Sequence, residues 1–311
     1  MMTQTTIGFI GLGVMGEPMC RNLARKSGAQ ILALDLRREP LDRLEAAGVV
    51  PATSVGELMR RAGVVMLSLP SGSEVEAICA GIEGLLAQAH AGQTVIDLGT
   101  SPVKLMRSLA QEFGRRGVDF ADAPVARTRA AAEAGTLSVM VGASERTFRR
   151  IEPLLASFAS EITRCGEVGA GQLTKILNNM VLFETGVALA EALKVARRGG
   201  LDPALLFATL AKGSADSFAL RNHGVKAMLP GIFPERAFSV QYALKDIAYA
   251  LECAAELDLK LPGAELARAR LEQAIAQGFG EQYWPVIAKV IGNETEGASS
   301  PGRAERGTRD P

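Results

Sequence analysis

Residues 7 to 16 read Ile-Gly-Phe-Ile-Gly-Leu-Gly-Val-Met-Gly, a short apolar run closed by three glycines in GxGxxG spacing. An amphipathic stretch from Pro18 to Lys26 follows directly, so the glycines sit between a strand-like and a helix-like segment. In that setting Gly11 permits a tight turn, Gly13 lets a pyrophosphate approach the backbone, and Gly16 lets helix and strand pack closely. Unpaired N–H groups at the helix start then face an anion. Gly11, Gly13, Val14, Met15 and Gly16 are therefore expected to line the phosphate site of a dinucleotide. Such a site needs an acidic residue about 20 positions on, at the end of the second strand, for the adenosine ribose. Asp35 stands there, after Ile31 to Leu34. Its carboxylate favours NAD, while Arg37 and Arg38 leave NADP open, since guanidinium groups clamp a 2′-phosphate.

The same alternation continues. Apolar runs at Val64 to Leu69, Thr94 to Leu98, Val118 to Ala121 and Thr136 to Val141 are separated by helix-like stretches, the pattern of βαβ units around a sheet buried on both faces. Near Gly166 the alternation stops. Gln172 to Arg198 contains no proline and one glycine, Gly186, and its apolar residues surround most of a helix, which predicts a long buried helix joining two halves. Helical segments near Pro203 to Lys212, Val240 to Leu257 and Ala264 to Gln277 complete an all-α second half. The expected fold is α/β: an N-terminal doubly wound parallel Rossmann sheet over 1–166, an all-α domain over 167–292, and a disordered tail over 293–311.

With 34 basic and 34 acidic side chains the formal charge is zero, so no global field draws the chain to nucleic acid or anionic lipid. No run of about 18 uninterrupted apolar residues marks a membrane span. The four cysteines form no CxxC pair and the two histidines stand in no HExxH pattern, so no metal site is expected. The first residues, Met1 to Thr6, lack a signal-peptide pattern, and a cytoplasmic location is expected. Glycine, at 33 residues, exceeds the usual share of about 7%, which implies many close backbone approaches.

Five ordered motifs carry a resemblance. Gly8-Phe-Ile-Gly-Leu-Gly-Val-Met-Gly-Glu-Pro-Met19, Asp122-Ala-Pro-Val125, Gly135-Thr-Leu-Ser-Val-Met-Val-Gly142, Gly169-Ala-Gly171 with Lys175 and Asn178-Asn179, and Lys245-Asp246 resemble the β-hydroxyacid dehydrogenase family, which includes 3-hydroxyisobutyrate dehydrogenases and tartronate semialdehyde reductases. The resemblance implies hydride transfer between a nicotinamide and a small anionic 3-hydroxy acid or its semialdehyde. It implies Lys175 as the catalytic lysine, with Asn179 beside it in the substrate site. Independently, positions 175, 178 and 179 share one helix face, where an ammonium and two amides can converge on a ligand. The resemblance also implies that Thr100, the Leu69-Pro70 turn and Lys245 lie beside the cofactor, and that the chain forms a homodimer or homotetramer.

One departure concerns the substrate loop. Most of the resembled family continues Asp-Ala-Pro-Val with Ser-Gly-Gly, whereas this chain continues with Ala126-Arg127-Thr128. Ala126 supplies no hydroxyl, the backbone N–H groups of Arg127 and Thr128 remain, and Arg127 adds a planar charged fork suited to carboxylate, phosphonate or sulfonate. The arrangement is similar to the Gly-Arg-Thr of sulfolactaldehyde reductases, which makes a sulfonated aldehyde an alternative substrate. Imine reductases, which generally lack the lysine, and a non-catalytic nucleotide-binding Rossmann protein are the remaining alternatives.

Overall fold

The computed structural model describes residues 6–235 and 237–292; the expected tail, 293–311, lies outside them. By packing, the chain divides into two compact units. One holds residues up to Val181 together with Lys245–Leu261, and the other holds Leu182–Leu244 with the chain from Pro262 onward. The long helix as far as Val181, and the later segment Lys245–Leu261, belong with the sheet.

In the first unit the apolar runs become β1 (Thr6–Ile10), β2 (Gln30–Leu34), β3 (Val50–Pro51), β4 (Val64–Leu67), β5 (Thr94–Asp97) and β6 (Asp119–Asp122), all mutually parallel. The helices α1 (Gly16–Lys26), α2 (Arg38–Glu45), α3 (Val55–Arg61), α4 (Gly72–Ala80), α5 (Leu85–Gln88) and α6 (Val103–Gly114) connect them. The strand order begins β3-β2-β1-β4-β5-β6, so the chain reverses direction across the sheet between β1 and β4, the place where doubly wound folds bind ligands at the carboxyl ends of strands. Alternate side chains feed separate cores: Ile7, Phe9, Ile31, Met66 and Ile96 on one face, Ile10, Leu32, Val65, Leu67 and Val95 on the other. The period of two explains why these strands read as continuous apolar runs.

The sheet then departs from an all-parallel one. β7 (Val125–Ala126), α7 (Arg129–Ala134), β8 (Leu137–Gly142), α8 (Glu145–Leu155) and β9 (Ala159–Gly166) follow. β8 runs antiparallel to both β6 and β7, while β9 runs parallel to β8. The reason lies in connection length. The ten residues between β7 and β8 are too few for a crossover to a parallel neighbour, which needs about a dozen or more, whereas the sixteen between β8 and β9, carrying α8, are enough.

Helix α9 (Ala170–Arg198) starts two residues earlier than the periodicity predicts. The expectation of burial all round is corrected. Leu177 is 40%, Val181 58% and Val195 71% exposed, and their spacing puts them on one stripe of the helix. Its other apolar residues serve two cores, Ile176 in the first unit, Phe183, Val187 and Leu193 in the second.

The second unit continues with α10 (Pro203–Leu210), a π-helical segment at Leu220–Met228 that sequence periodicity did not indicate, α11 (Val240–Glu256), whose residues from Lys245 onward belong to the first unit, α12 (Pro262–Ala276) and α13 (Ile287–Val290). Its core centres on the fully buried Trp284, which meets Phe183 edge-on at 5.2 Å. Gly186 is explained here, since a Cβ at that position would lie 2.4 Å from the Trp284 ring.

Candidate active site

The glycine turn after β1 has the shape its spacing demands. Gly11 has φ +93°, and a Cβ there would lie 2.3 Å from the Ser68 carbonyl oxygen. A Cβ on Gly16 would lie 2.1 Å from the Gly11 oxygen, so α1 packs where only glycine fits. Gly13 faces open space, with no atom within 4 Å of a Cβ position. A cradle that is closed at Gly11 and Gly16 and open at Gly13 fits a pyrophosphate at the N-terminus of α1. Val14 is 42% exposed beside it, and Met15 is the residue preceding α1.

Asp35 follows β2 and holds this turn from below. Its Oδ2 accepts the Leu12 N–H at 2.6 Å, and its Oδ1 accepts Arg37 N–H at 2.9 Å and Arg37 Nε at 3.2 Å. Burial raises the carboxyl's pKa, but the bonds from Arg37 and Leu12 outweigh it and leave the group below the usual range. Arg37 also donates to the Leu12 carbonyl at 3.1 Å, while Arg38 pairs with Asp42 and Glu45. The two arginines expected to bear on a 2′-phosphate thus have carboxylate partners. Leu69 lies against the turn, its Cδ2 3.0 Å from a Cβ position on Gly11; Pro70 follows it and is exposed.

The start of α9 is held by two buried carboxylates, Asp122 of the quoted motif and Asp97, whose role the sequence alone left unassigned. Asp122, ending β6, accepts the Gly169 N–H at Oδ1 and the Gln172 N–H at Oδ2, both at 2.6 Å. These are N–H groups that a helix start leaves unpaired, and a carboxylate there also complements the helix dipole. The approach is so close that a Cβ on Gly142 would lie 2.3 Å from Asp122 Oδ1, and one on Gly171 2.8 Å from Asp122 Oδ2. Two of the motif glycines therefore exist to admit this carboxylate. Asp97, ending β5, accepts Ser101 Oγ at 2.8 Å and Gln172 Nε2 at 3.1 Å. Burial pushes the Asp122 carboxyl up to about 6, against its two backbone bonds, and burial raises Asp97 as well.

One turn further along α9, Lys175 is 9% exposed. Burial pushes its ammonium down to about 8, with Asp246 opposing the shift and Lys245 adding to it. Asn178 donates to Asn179 Oδ1 at 3.0 Å, and Asn179 donates to Asp246 Oδ2 at 2.7 Å. On α11, Lys245 lies 3.1 Å from Asp246 Oδ1 and donates to the Thr100 carbonyl at 2.9 Å. Lys245 also stands over the Tyr249 ring at 5.2 Å, and the Tyr249 hydroxyl accepts the Gly72 N–H at 3.4 Å. Lys175, Asn178, Asn179, Thr100 and Lys245 thus belong to one cluster, with Asp246 at its centre.

Arg127 has a different setting. It adopts φ +86°, a left-handed conformation uncommon outside glycine. Its Nη1 donates to the Thr136 carbonyl at 2.6 Å and to Ser160 Oγ at 3.0 Å. Its hydrogen bonds thus run to the β8–β9 side of the sheet and not to the Lys175 cluster. Thr128 is exposed and caps α7, accepting the Ala131 N–H at 3.4 Å.

Residues 6–166 match the family described as "NAD binding domain of 6-phosphogluconate dehydrogenase", and 169–290 the family described as "NAD-binding of NADP-dependent 3-hydroxyisobutyrate dehydrogenase". The chain belongs to the β-hydroxyacid dehydrogenase family. It is an NAD(P)-dependent oxidoreductase acting on CH–OH groups, not a non-catalytic nucleotide-binding protein. It is 34% identical to a 2-(hydroxymethyl)glutarate dehydrogenase of Eubacterium barkeri, over 91% of this chain and 94% of that one. It is 35% identical to a 3-hydroxyisobutyrate dehydrogenase of Pseudomonas aeruginosa, over 85% and 90%. A Mycobacterium tuberculosis 3-hydroxyisobutyrate dehydrogenase solved with L-serine superposes with a TM-score of 0.84 at 29% identity, covering 93% of this chain and 99% of that one. An imine reductase from Pseudomonas sp., at 15% identity and a TM-score of 0.61, shares the fold alone.

Proposed function

We propose that this dehydrogenase interconverts a short anionic 3-hydroxy acid, of the 3-hydroxyisobutyrate type, and its semialdehyde, with Lys175 as general acid and base. The carrying observation is a nearly buried ammonium, lowered to about 8, beside Asn179, Asp246 and Lys245. The bound nicotinamide supplies or accepts the hydride. In reduction, negative charge grows on the carbonyl oxygen; the Lys175 ammonium stabilises it and delivers the proton. In oxidation the neutral amine takes the hydroxyl proton. An ordinary lysine, near 10.4, would be a poor base at neutral pH, and burial supplies the missing shift. Asn178 and Asn179 orient the substrate, and the N–H groups of Arg127 and Thr128 receive its carboxylate. Asp35, whose carboxylate would repel a 2′-phosphate, supports NAD over NADP.

A sulfonated aldehyde is the second reading. It is favoured by the exposed Arg127 guanidinium, which bonds to Thr136 and Ser160 through Nη1, and it requires that fork to turn from both. Oxidation of NADH and NADPH, followed spectroscopically against methylmalonate, tartronate and succinic semialdehydes and sulfolactaldehyde, tests both. Turnover of a carboxylated semialdehyde, lost in Lys175→Ala with NADH binding retained, supports the first reading. Equal loss of binding and turnover would make Lys175 structural. Preference for sulfolactaldehyde that Arg127→Gly removes supports the second.

A homodimer or homotetramer is part of the proposal, supported by the exposed stripe of Leu177, Val181 and Val195. A monomer in light scattering at micromolar concentration would refute it. Cytosolic residence is proposed from the four unpaired cysteines among the described residues.

A further inference from the structure

We propose that Gln172 is a positioning residue, locking the turn of α9 before Lys175 to the backbone on both sides of Thr100. The proposal rests on the reading of Lys175 as the proton-handling group. Gln172, Asp97 and Ser101 are all 0% exposed. The Gln172 Nε2 donates to the Gly99 carbonyl at 2.8 Å and to Asp97 Oδ2 at 3.1 Å, and its Oε1 accepts the Ser101 N–H at 3.1 Å. One amide therefore grips the residues immediately before and after Thr100. The Thr100 carbonyl is in turn the acceptor of Lys245 Nζ, and the Gln172 backbone N–H is fastened to Asp122.

Side chain and backbone together, Gln172 thus connects the ends of β5 and β6, the loop carrying Thr100, and the helix carrying Lys175. Lys175 lies three residues on, on the neighbouring part of the same helical face. The pattern of partners is specific to a carboxamide. Asp97 and Gly99 present acceptors and Ser101 presents a donor, so the position needs both polarities at one reach. Glutamate would set an oxygen against the Asp97 carboxylate, and methionine would fill the space with no bonds at all. A small displacement of this turn moves the Lys175 ammonium relative to Asp246 and Lys245, and misplacement of about 1 Å is enough to slow a reaction strongly.

The test compares Gln172→Met, Gln172→Glu, and Gln172→Glu combined with Asp97→Asn, which reverses the polarity of the bond. Two readouts are taken on the full-length enzyme below each variant's melting temperature. The first is the pH dependence of Lys175 reductive methylation, read by peptide mass spectrometry, which needs no substrate. The second is kcat and KM for the semialdehyde that the wild type reduces fastest. Gln172→Met is expected to move the labelling midpoint by about half a pH unit or more and to lower kcat about tenfold or more, with KM for NADH changed less. The double variant is expected to recover part of what Gln172→Glu loses. A folded Gln172→Met with wild-type labelling and kcat would overturn the proposal. Should that variant not fold, the double variant decides, and a folded double variant with no recovery relative to Gln172→Glu overturns it. A wild type that turns over no semialdehyde defeats the proposed reaction, while the labelling profile still decides the role of Gln172.

Discussion

The Asn179 amide donates to Asp246 Oδ2 at 2.7 Å, joining residues 67 positions apart in the sequence. The bond ties α9 to α11 beside Lys175 and places a negative charge where it raises the lysine's affinity for a proton. Asp246→Asn keeps the size and can keep an acceptor for Asn179, but removes that charge. The Lys175 labelling midpoint is expected to fall by roughly one pH unit, and reduction at neutral pH is expected to slow.

Lys175, lowered to about 8, gives opposite pH limbs in the two directions. Reduction uses the ammonium and should decline as pH rises through about 8. Oxidation uses the amine and should decline as pH falls through the same value. Both limbs are read from kcat/KM, and limbs that move together in the two directions would exclude Lys175 as their source.

Asp122 accepts two N–H groups at the start of α9 with its two oxygens. Asp122→Asn replaces one acceptor with an NH2 facing a buried N–H, and is expected to lower stability by about 1–3 kcal/mol in denaturant unfolding. It should also disturb the Lys175 labelling profile, because the helix start is what carries the lysine into place.

His223 is 4% exposed and its Nδ1 lies 2.5 Å from the Tyr283 hydroxyl. Burial, with a smaller contribution from Lys226, pushes it from 6.5 down to about 4. Its folded pKa is depressed, so the unfolded chain binds the proton first. Stability from this group is complete above about pH 6.5 and is lost progressively as pH falls toward about 4, by on the order of 3 kcal/mol. His223→Phe should flatten that part of the stability curve; an unchanged slope would place the acid sensitivity elsewhere.

Much of this site was legible because its signals are local. The glycine turn, Asp35 and the shared face of Lys175, Asn178 and Asn179 each follow from spacing within one or two elements. The carboxylates Asp97 and Asp122 left a weaker signal, an acidic residue ending a buried strand, whose meaning depends on a helix start some 50 to 75 residues later. The setting of Arg127 left none. Its left-handed backbone and its bonds to Thr136 and Ser160 depend on how β7, β8 and β9 align.

By itself, the sequence determined the βαβ alternation, the nucleotide turn and the helix face that carries the lysine, since each depends on periodicity or on the steric freedom of glycine. Tertiary structure alone decided the antiparallel end of the sheet, because connection length limits which neighbour a strand can reach. It also decided the proton affinity of Lys175. That value comes from burial and from Asp246 and Lys245, which reach the lysine only when the chain from residue 245 packs back against the first unit.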